Sequence, residues 1–197
     1  MILSAVTSLP AAPKRIVSLV PSQTELLFYL GLEQETIGIT KFCIYPSSWF
    51  QNKLKVGGTK KIDIEKVNKL QPDLIIANKE ENIKEQVETL ATSFPVWVTD
   101  VNTLQDALQM INDVGILTQR ELAAQNLVLD IKNEFSKISY NKQHLSVPTI
   151  NSSLIPTCYL IWKDPFMTIG SAAWRWLWGR SVTCRGRCMI TYSIAAR

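Results

Sequence analysis

Four short apolar runs, "RIVSLV" (15–20), "TIGIT" (36–40), "PDLIIAN" (72–78) and "PVWVTD" (95–100), alternate with stretches of helical period. Val- and Ile-rich runs of this length suit strands buried on both faces, and a helix between consecutive strands makes them run parallel. The first helix reads as "PSQTELLFYLG", with Ser22 and Glu25 as a capping box and Gly31 as its stop. The second is "DIEKVNKLQ" (63–71), with Ile64, Val67 and Leu70 on one face, and the third is "EENIKEQVETLATS" (80–93). Between them "KFCIYPSSWFQNKLKVGGTKK" (41–61) reads as a loop-rich segment. The expected class is α/β, a parallel sheet with helices on both faces.

After Asp100 the period stays helical. "TLQDALQMINDVG" (103–115) places Leu104, Leu108, Ile111 and Val114 on one face and stops at Gly115. Thr118 and Glu121 form a second capping box, opening a helix to about Ser139 with Leu122, Leu129 and Phe135 among its apolar positions. At 1.5 Å per residue this is a rod of roughly 33 Å, long enough to cross between two lobes. "YNKQHLSVPTINSS" then reads as a polar loop, and "TCYLIWKD" (157–164) as the first strand of a second lobe. The expected organisation is an N-terminal lobe (13–101), a helical segment with an interlobe helix (102–140), the start of a C-terminal lobe (141–170) and a tail of different character (171–197).

Charge marks that tail. Of 21 Lys and Arg, 16 lie in residues 1–170 against all 17 acids, so the body is near −1 and the basic balance belongs to the last 27 residues. Without a basic stripe on the body, a nucleic-acid partner is not expected. Four Cys are too few and too scattered for a disulfide scaffold, and Cys184 and Cys188 lack neighbouring His or Asp, so no metal site is expected. No apolar run reaches membrane-spanning length. "MILSAVTSLPAAPKR" lacks a basic n-region and has only a short apolar stretch, a poor secretory signal that by itself leaves the chain in the cytoplasm.

Catalytic signatures are missing. "GLEQETIG" and "VGGTKK" are neither a dinucleotide fingerprint nor a Walker loop, and the lone His144 sits in the polar loop. No catalytic residue and no resident cofactor are expected. In open α/β sheets ligands bind beyond the carboxyl ends of the strands. Those ends are "PSQT", "TKFCIYP", "ANKEEN" and "TD".

Together with "VGGTKK", these motifs carry a resemblance. The ordered set "KRIVSLVPSQTELLFYLGL", "FC" followed by Pro46, "GGTK" and "NKEEN" resembles the substrate-binding proteins of ABC importers for vitamin B12 and ferric siderophores, over roughly residues 13–170. The resemblance implies two α/β lobes joined by a long helix, a large metal chelate between them and a membrane permease as partner. It also implies a monomer at the periplasmic or outer face of the membrane.

Site residues follow from that resemblance, each beside a plainer reading. Pro21, Ser22, Gln23 and Thr24 begin a helix whose amides face the cleft, or simply cap it. Phe42, Tyr45 and Trp49 offer flat apolar faces to a ring. Cys43 reads as a packed apolar residue rather than a metal ligand. Gly57 and Gly58 allow close backbone approach, with Thr59 and Lys60 as donors, or form an ordinary turn. Asn78 and Lys79 lie on a strand-end loop, and Glu80, Glu81 or Glu85 docks the permease or only favours a helix N-terminus. Trp162, Lys163 and Phe166 complete the cleft from the second lobe, or Trp162 packs in a core.

After "WKDPFMTIG" the resemblance stops. Five of seven Arg and none of 14 Lys fall in the last 27 residues, with three Trp in residues 174–178. An abrupt change in residue usage is what a shifted reading frame produces, and with it an incomplete second lobe. Cobalamin is the favoured ligand, with ferric siderophore or haem as alternatives. Two other classes remain open: an α/β enzyme using Cys43 as nucleophile, and a fragment that binds partners through its tail.

Overall fold

The computed structural model of the chain describes residues 1–3, 9, 11–144, 160–163 and 166–168. It divides into two compact units, Met1–Phe135 and Ser136–Arg197. The first unit takes in residues 102–135 as well as the expected N-terminal lobe.

Five strands form the sheet of the first unit: β1 (Ile16–Ser18), β2 (Thr36–Ile39), β3 (Leu54–Lys55), β4 (Leu74–Asn78) and β5 (Val96–Thr99). Their order is β3-β2-β1-β4-β5 and every pairing is parallel. The chain therefore winds outward from β1 to β3, crosses back over β1, and winds the other way through β4 and β5. Ile2 extends the far edge by a parallel bridge to Val96.

Helices cover both faces, as expected. On one face Ile16, Ile39, Leu74 and Ile76 pack with residues of α1 (Pro21–Tyr29), α2 (Ser47–Asn52), α5 (Leu104–Leu117) and α6 (Glu121–His144). On the other, Val17, Ile75, Ala77 and Val96 meet Val67 of α3 (Ile64–Leu70) and Val87 and Leu90 of α4 (Lys84–Ala91). Leu74, Ile75, Ile76 and Ala77 are all buried, which is why β4 reads as an unbroken apolar run.

Several local expectations need correction. α1 is capped by Val20 and starts with Pro21 at N1, so Ser22 lies inside the first turn and makes no cap. Proline's fixed φ and missing N–H suit N1 and displace the expected start by one residue. Gly31 does end the helix, with φ +74°. The 41–61 segment contains α2 and β3. α4 begins at Lys84 rather than residue 80, because the side chain of Asn78 accepts from the Glu80 and Glu81 amides and closes a turn before the helix.

Gly115 is an interior residue of α5, not its end. A Cβ there would lie 2.4 Å from Ala124 Cβ, so glycine lets α5 and α6 approach closely. Thr118 caps the C-terminal end of α5 by donating its hydroxyl to Val114 O (2.7 Å), and so does not open α6 with Glu121. α6 buries Ala124 and Val128, while Leu122 and Leu129 stay exposed. It runs on to His144, so Tyr140–His144 are helical rather than part of the polar loop. The remainder of that loop lies outside the described residues.

The second unit contains β6 (Leu160–Lys163) and β7 (Phe166–Thr168), an antiparallel pair in which Trp162 stands opposite Met167 and Lys163 opposite Phe166. The 157–164 strand is thus observed at 160–163, and β7 is an addition to it. Residues 171–197 lie outside the described residues.

The acidic caps give a pH dependence. Asp63 caps α3 by accepting from Lys66 N (3.1 Å), and Asp106 completes a capping box with Thr103 on α5. The Lys66 amide holds the Asp63 carboxyl below its usual range, and the Asn102 amide with Thr103 does the same for Asp106. The contribution of a carboxyl depressed in the folded state is complete above its unfolded pKa of about 3.9 and disappears as pH falls through the lower folded value. Urea unfolding followed from about pH 6 down to about pH 2.5 should therefore show an acid limb that flattens in Asp63→Asn and Asp106→Asn. A limb of unchanged slope in both variants would remove these caps from the acid response.

Candidate ligand site at the carboxyl edge of the sheet

The reversal of strand order places the carboxyl ends of β1 and β4 side by side, where doubly wound sheets open a crevice. Four segments reach this edge: the β1–α1 junction, the loop after β2, the 57–62 loop and the 78–82 turn. Each holds residues anticipated from the sequence, and the structure sorts them into an exposed rim and a buried support.

Beneath the rim lies a polar network. Thr99 Oγ1 donates to Ala77 O (3.1 Å) and accepts from Gln23 Nε2 (2.7 Å) and Asn78 Nδ2 (3.1 Å), which uses its one hydrogen and both lone pairs. Thr24 Oγ1 lies 2.8 Å from Ser18 Oγ, 3.0 Å from Val20 O and 3.1 Å from Cys43 Sγ. Thr40 Oγ1 adds a 3.2 Å contact to the same sulfur. Gln23 and Thr24 are thus buried side chains that join α1 to the sheet. Pro21 carries no N–H and the Thr24 amide already donates to Val20 O, so Ser22 and Gln23 supply the amides of the first turn. Cys43 is a free, fully buried thiol in the apolar cluster, which fits the packed reading of it.

Phe42 and Tyr45 form the apolar part of the rim, 52% and 62% exposed, with Ile44 exposed between them. Trp49 differs from the expected flat face: it is 1% exposed, in the core against Phe28, the rings perpendicular with centroids 5.4 Å apart. The helical turn of α2 carries it inward, so it supports the loop from below.

The 57–62 loop is a tight reversal. Gly58 N donates to Lys61 O (2.8 Å) and Asp63 N to Val56 O (2.8 Å), while Gly57 takes φ +101°. A Cβ on Gly58 would come within 3.0 Å of the Phe42 ring, so the ring lies directly on this glycine. Thr59 is buried, whereas Lys60 is exposed and donates from Nζ to Glu80 O. Across the turn, Lys79 pairs with Asp100 at 2.5 Å, which raises the Lys79 pKa and lowers that of Asp100. Both groups are solvent-exposed, so this pair sets local geometry more than stability. Glu80, Glu81 and Glu85 are exposed.

Trp162, Lys163 and Phe166 belong to the hairpin of the second unit, where Lys163 and Phe166 face each other in register. Among the described residues no group of three or more His, Cys, Asp and Glu could hold a metal ion. No helix among them is long and apolar enough to cross a membrane.

A parallel sheet with this strand order opens at its carboxyl edge, the place where open α/β folds bind ligands. The periplasmic binding protein family matches residues 16–170, and the chain belongs to that family. It is 29% identical over 169 residues to an uncharacterized ABC transporter substrate-binding lipoprotein of Bacillus subtilis, covering 79% of this chain and 52% of that protein. It is 28% identical over 136 residues to a vitamin B12-binding protein of Pectobacterium carotovorum, covering 68% and 49%. Among solved structures it is similar to the periplasmic vitamin B12 binding protein of Vibrio cholerae, with TM-score 0.67 and 24% identity over 81% of this chain and 60% of that one. A periplasmic heme binding protein from Pseudomonas aeruginosa gives TM-score 0.61 at 20% identity, over 69% and 50%. At those identities the structures show the shared fold. The chain spans about half the length of the curated relatives it matches.

Proposed function

We propose that the chain acts in an ABC importer as the substrate-binding component, capturing a metal chelate and passing it to a membrane permease, with no catalytic step. Its ligand is cargo rather than a resident cofactor. Cobalamin is the first candidate, favoured by the "FC", "GGTK" and "NKEEN" set and by relatives named as vitamin B12-binding proteins. Ferric siderophore or haem is the alternative within the same class, and an enzyme built on Cys43 is disfavoured by a buried thiol packed among apolar side chains.

The exposed pair Phe42 and Tyr45 at the switch-point edge carries this reading. Corrins and porphyrins present flat apolar faces, and two aromatic side chains more than half exposed, beside backbone amides and Lys60, suit a face and its polar margin. Pro21, Ser22, Gly57, Gly58, Asn78 and Lys79 supply the rest of the first unit's rim. Glu80, Glu81 or Glu85 meets basic groups of the permease. The protein works as a monomer, and it does so at the periplasmic or outer face of the membrane, a placement that the names of its relatives support.

Titration of the 197-residue chain with cyanocobalamin, haemin and a ferric hydroxamate tests this. Saturable binding of one chelate is expected, weaker than about 1 μM because the chain spans half of its relatives' length. Replacing both Phe42 and Tyr45 by Ala should weaken it about 30-fold or more, since buried aromatic anchors dominate such interfaces. If a folded chain binds none of the three at about 1 mM, near −4 kcal/mol, the reading fails.

A further inference from the structure

Asn82 stands at the end of the 78–82 turn, just before α4, and is only 6% exposed. Its carboxamide is nearly saturated: Oδ1 accepts from Asn78 N at 2.9 Å, while Nδ2 donates to Thr59 O at 3.0 Å and to Leu19 O at 3.3 Å. Those partners belong to three segments of the edge, the end of β4, the 57–62 loop and the end of β1. They are separated from Asn82 by 4, 23 and 63 positions. The exposed rim groups lie within a few residues of them. Lys60 follows Thr59, Lys79 follows Asn78, and Ser22 comes three residues after Leu19.

Only a planar carboxamide of this length delivers two donors and one acceptor from a single buried point. Aspartate keeps the acceptor, loses both donors and sets a charge against two carbonyls. Leucine keeps approximate volume and loses every bond. A second fastening, Gln86, accepts from Ile62 N (2.8 Å) and donates to Lys60 O (3.1 Å), so it holds the far side of the 57–62 loop but reaches neither β1 nor β4.

We propose that Asn82 is the positioning residue of the ligand rim: through one buried carboxamide it fixes the β1–α1 junction, the 57–62 loop and the 78–82 turn relative to one another. It rests on the reading of this edge as the ligand face, and adds that affinity there depends on a side chain lying beneath the rim. The residue acts through Ser22, Lys60 and Lys79.

The experiment uses the full chain with Asn82→Leu and Asn82→Asp. Amide hydrogen exchange reads the anchoring without any ligand. In Asn82→Leu the Asn78 and Gly58 amides should exchange at least about tenfold faster than the change in global stability from urea unfolding accounts for. In Asn82→Asp the Asn78 amide should stay protected, because its acceptor survives, while the Gly58 amide loosens. A uniform increase across all amides would mean a merely structural role and overturns the proposal, as does unchanged exchange. Cyanocobalamin titration then reads the consequence, with a loss of about 10- to 100-fold in both variants, the range expected when buried carbonyls lose their donors. Loosened loops with wild-type affinity overturn the ligand half. A wild-type chain that binds no cyanocobalamin counts against the assigned ligand and the ligand half together, and exchange then decides the anchoring.

Discussion

Trp49→Ala is expected to cost about 3 kcal/mol of stability, at the low end of the range for emptying a buried Trp site. The indole is 1% exposed and meets Phe28 edge to face. A full cavity cost would be higher, but the indole Nε1 is buried without a hydrogen-bond partner. Deleting an unsatisfied donor returns part of its desolvation penalty, roughly 1 kcal/mol or more. The same reasoning predicts that Trp49→Phe, which keeps a ring and removes the N–H, stays within about 1 kcal/mol of the wild type. Urea unfolding of the two variants separates these terms. A loss below about 1 kcal/mol in Trp49→Ala would show that α2 is not a supporting element of the core. Phe42→Ala and Tyr45→Ala should leave the unfolding midpoint nearly unchanged, since both side chains are more than half exposed.

The contrast between Trp49 and its neighbours shows what periodicity can resolve in this chain. Four strands and the helices between them are legible because β1 and β4 are buried on both faces and β2 and β5 nearly so, which leaves short, mostly apolar runs between helical periods. In 41–61 that signal is absent. β3 is two residues long and α2 only six, and Pro46, Ser47 and Ser48 look like loop chemistry. Whether Trp49 faces inward or outward depends on that single turn of helix.

The caps depart from their local sequence signals for a related reason. Ser22 and Thr118 have the composition of N-caps, but Pro21 takes N1 at one site, and at the other α5 runs past Gly115 and uses the Thr118 hydroxyl. Gly115 looks like a helix stop because glycine usually marks one. Its role comes from Ala124 on the next helix, a contact no local window contains. The buried part of the site has the same character. Gln23 meets Thr99 across 76 positions and Asn82 meets Leu19 across 63, so the strand-end motifs contain these residues while the partners that bury them stay hidden from any local window.

The two glycines of the 57–62 loop should separate folding from binding. At Gly57 the backbone has φ +101°, and an added Cβ would lie 2.5 Å from Lys61 O and 2.8 Å from Asp63 N. Both obstacles are backbone atoms held by the bonds that close the loop, so neither can swing aside. Strain from the dihedral and from the overlap together puts Gly57→Ala at about 3 kcal/mol destabilising. Any other L-residue should do no better, because Cβ itself is the difficulty. At Gly58 the added carbon would meet Phe42 Cε2 at 3.0 Å, the far end of an exposed ring that can rotate away. Gly58→Ala should therefore cost less than about 1 kcal/mol in urea unfolding. It should nevertheless weaken chelate binding severalfold, because it turns Phe42 out of the plane in which it lies on the loop. Equal losses of stability in the two variants would show that the loop, not the dihedral at Gly57, sets the cost, and an unchanged affinity in Gly58→Ala would take Phe42 out of the ligand face.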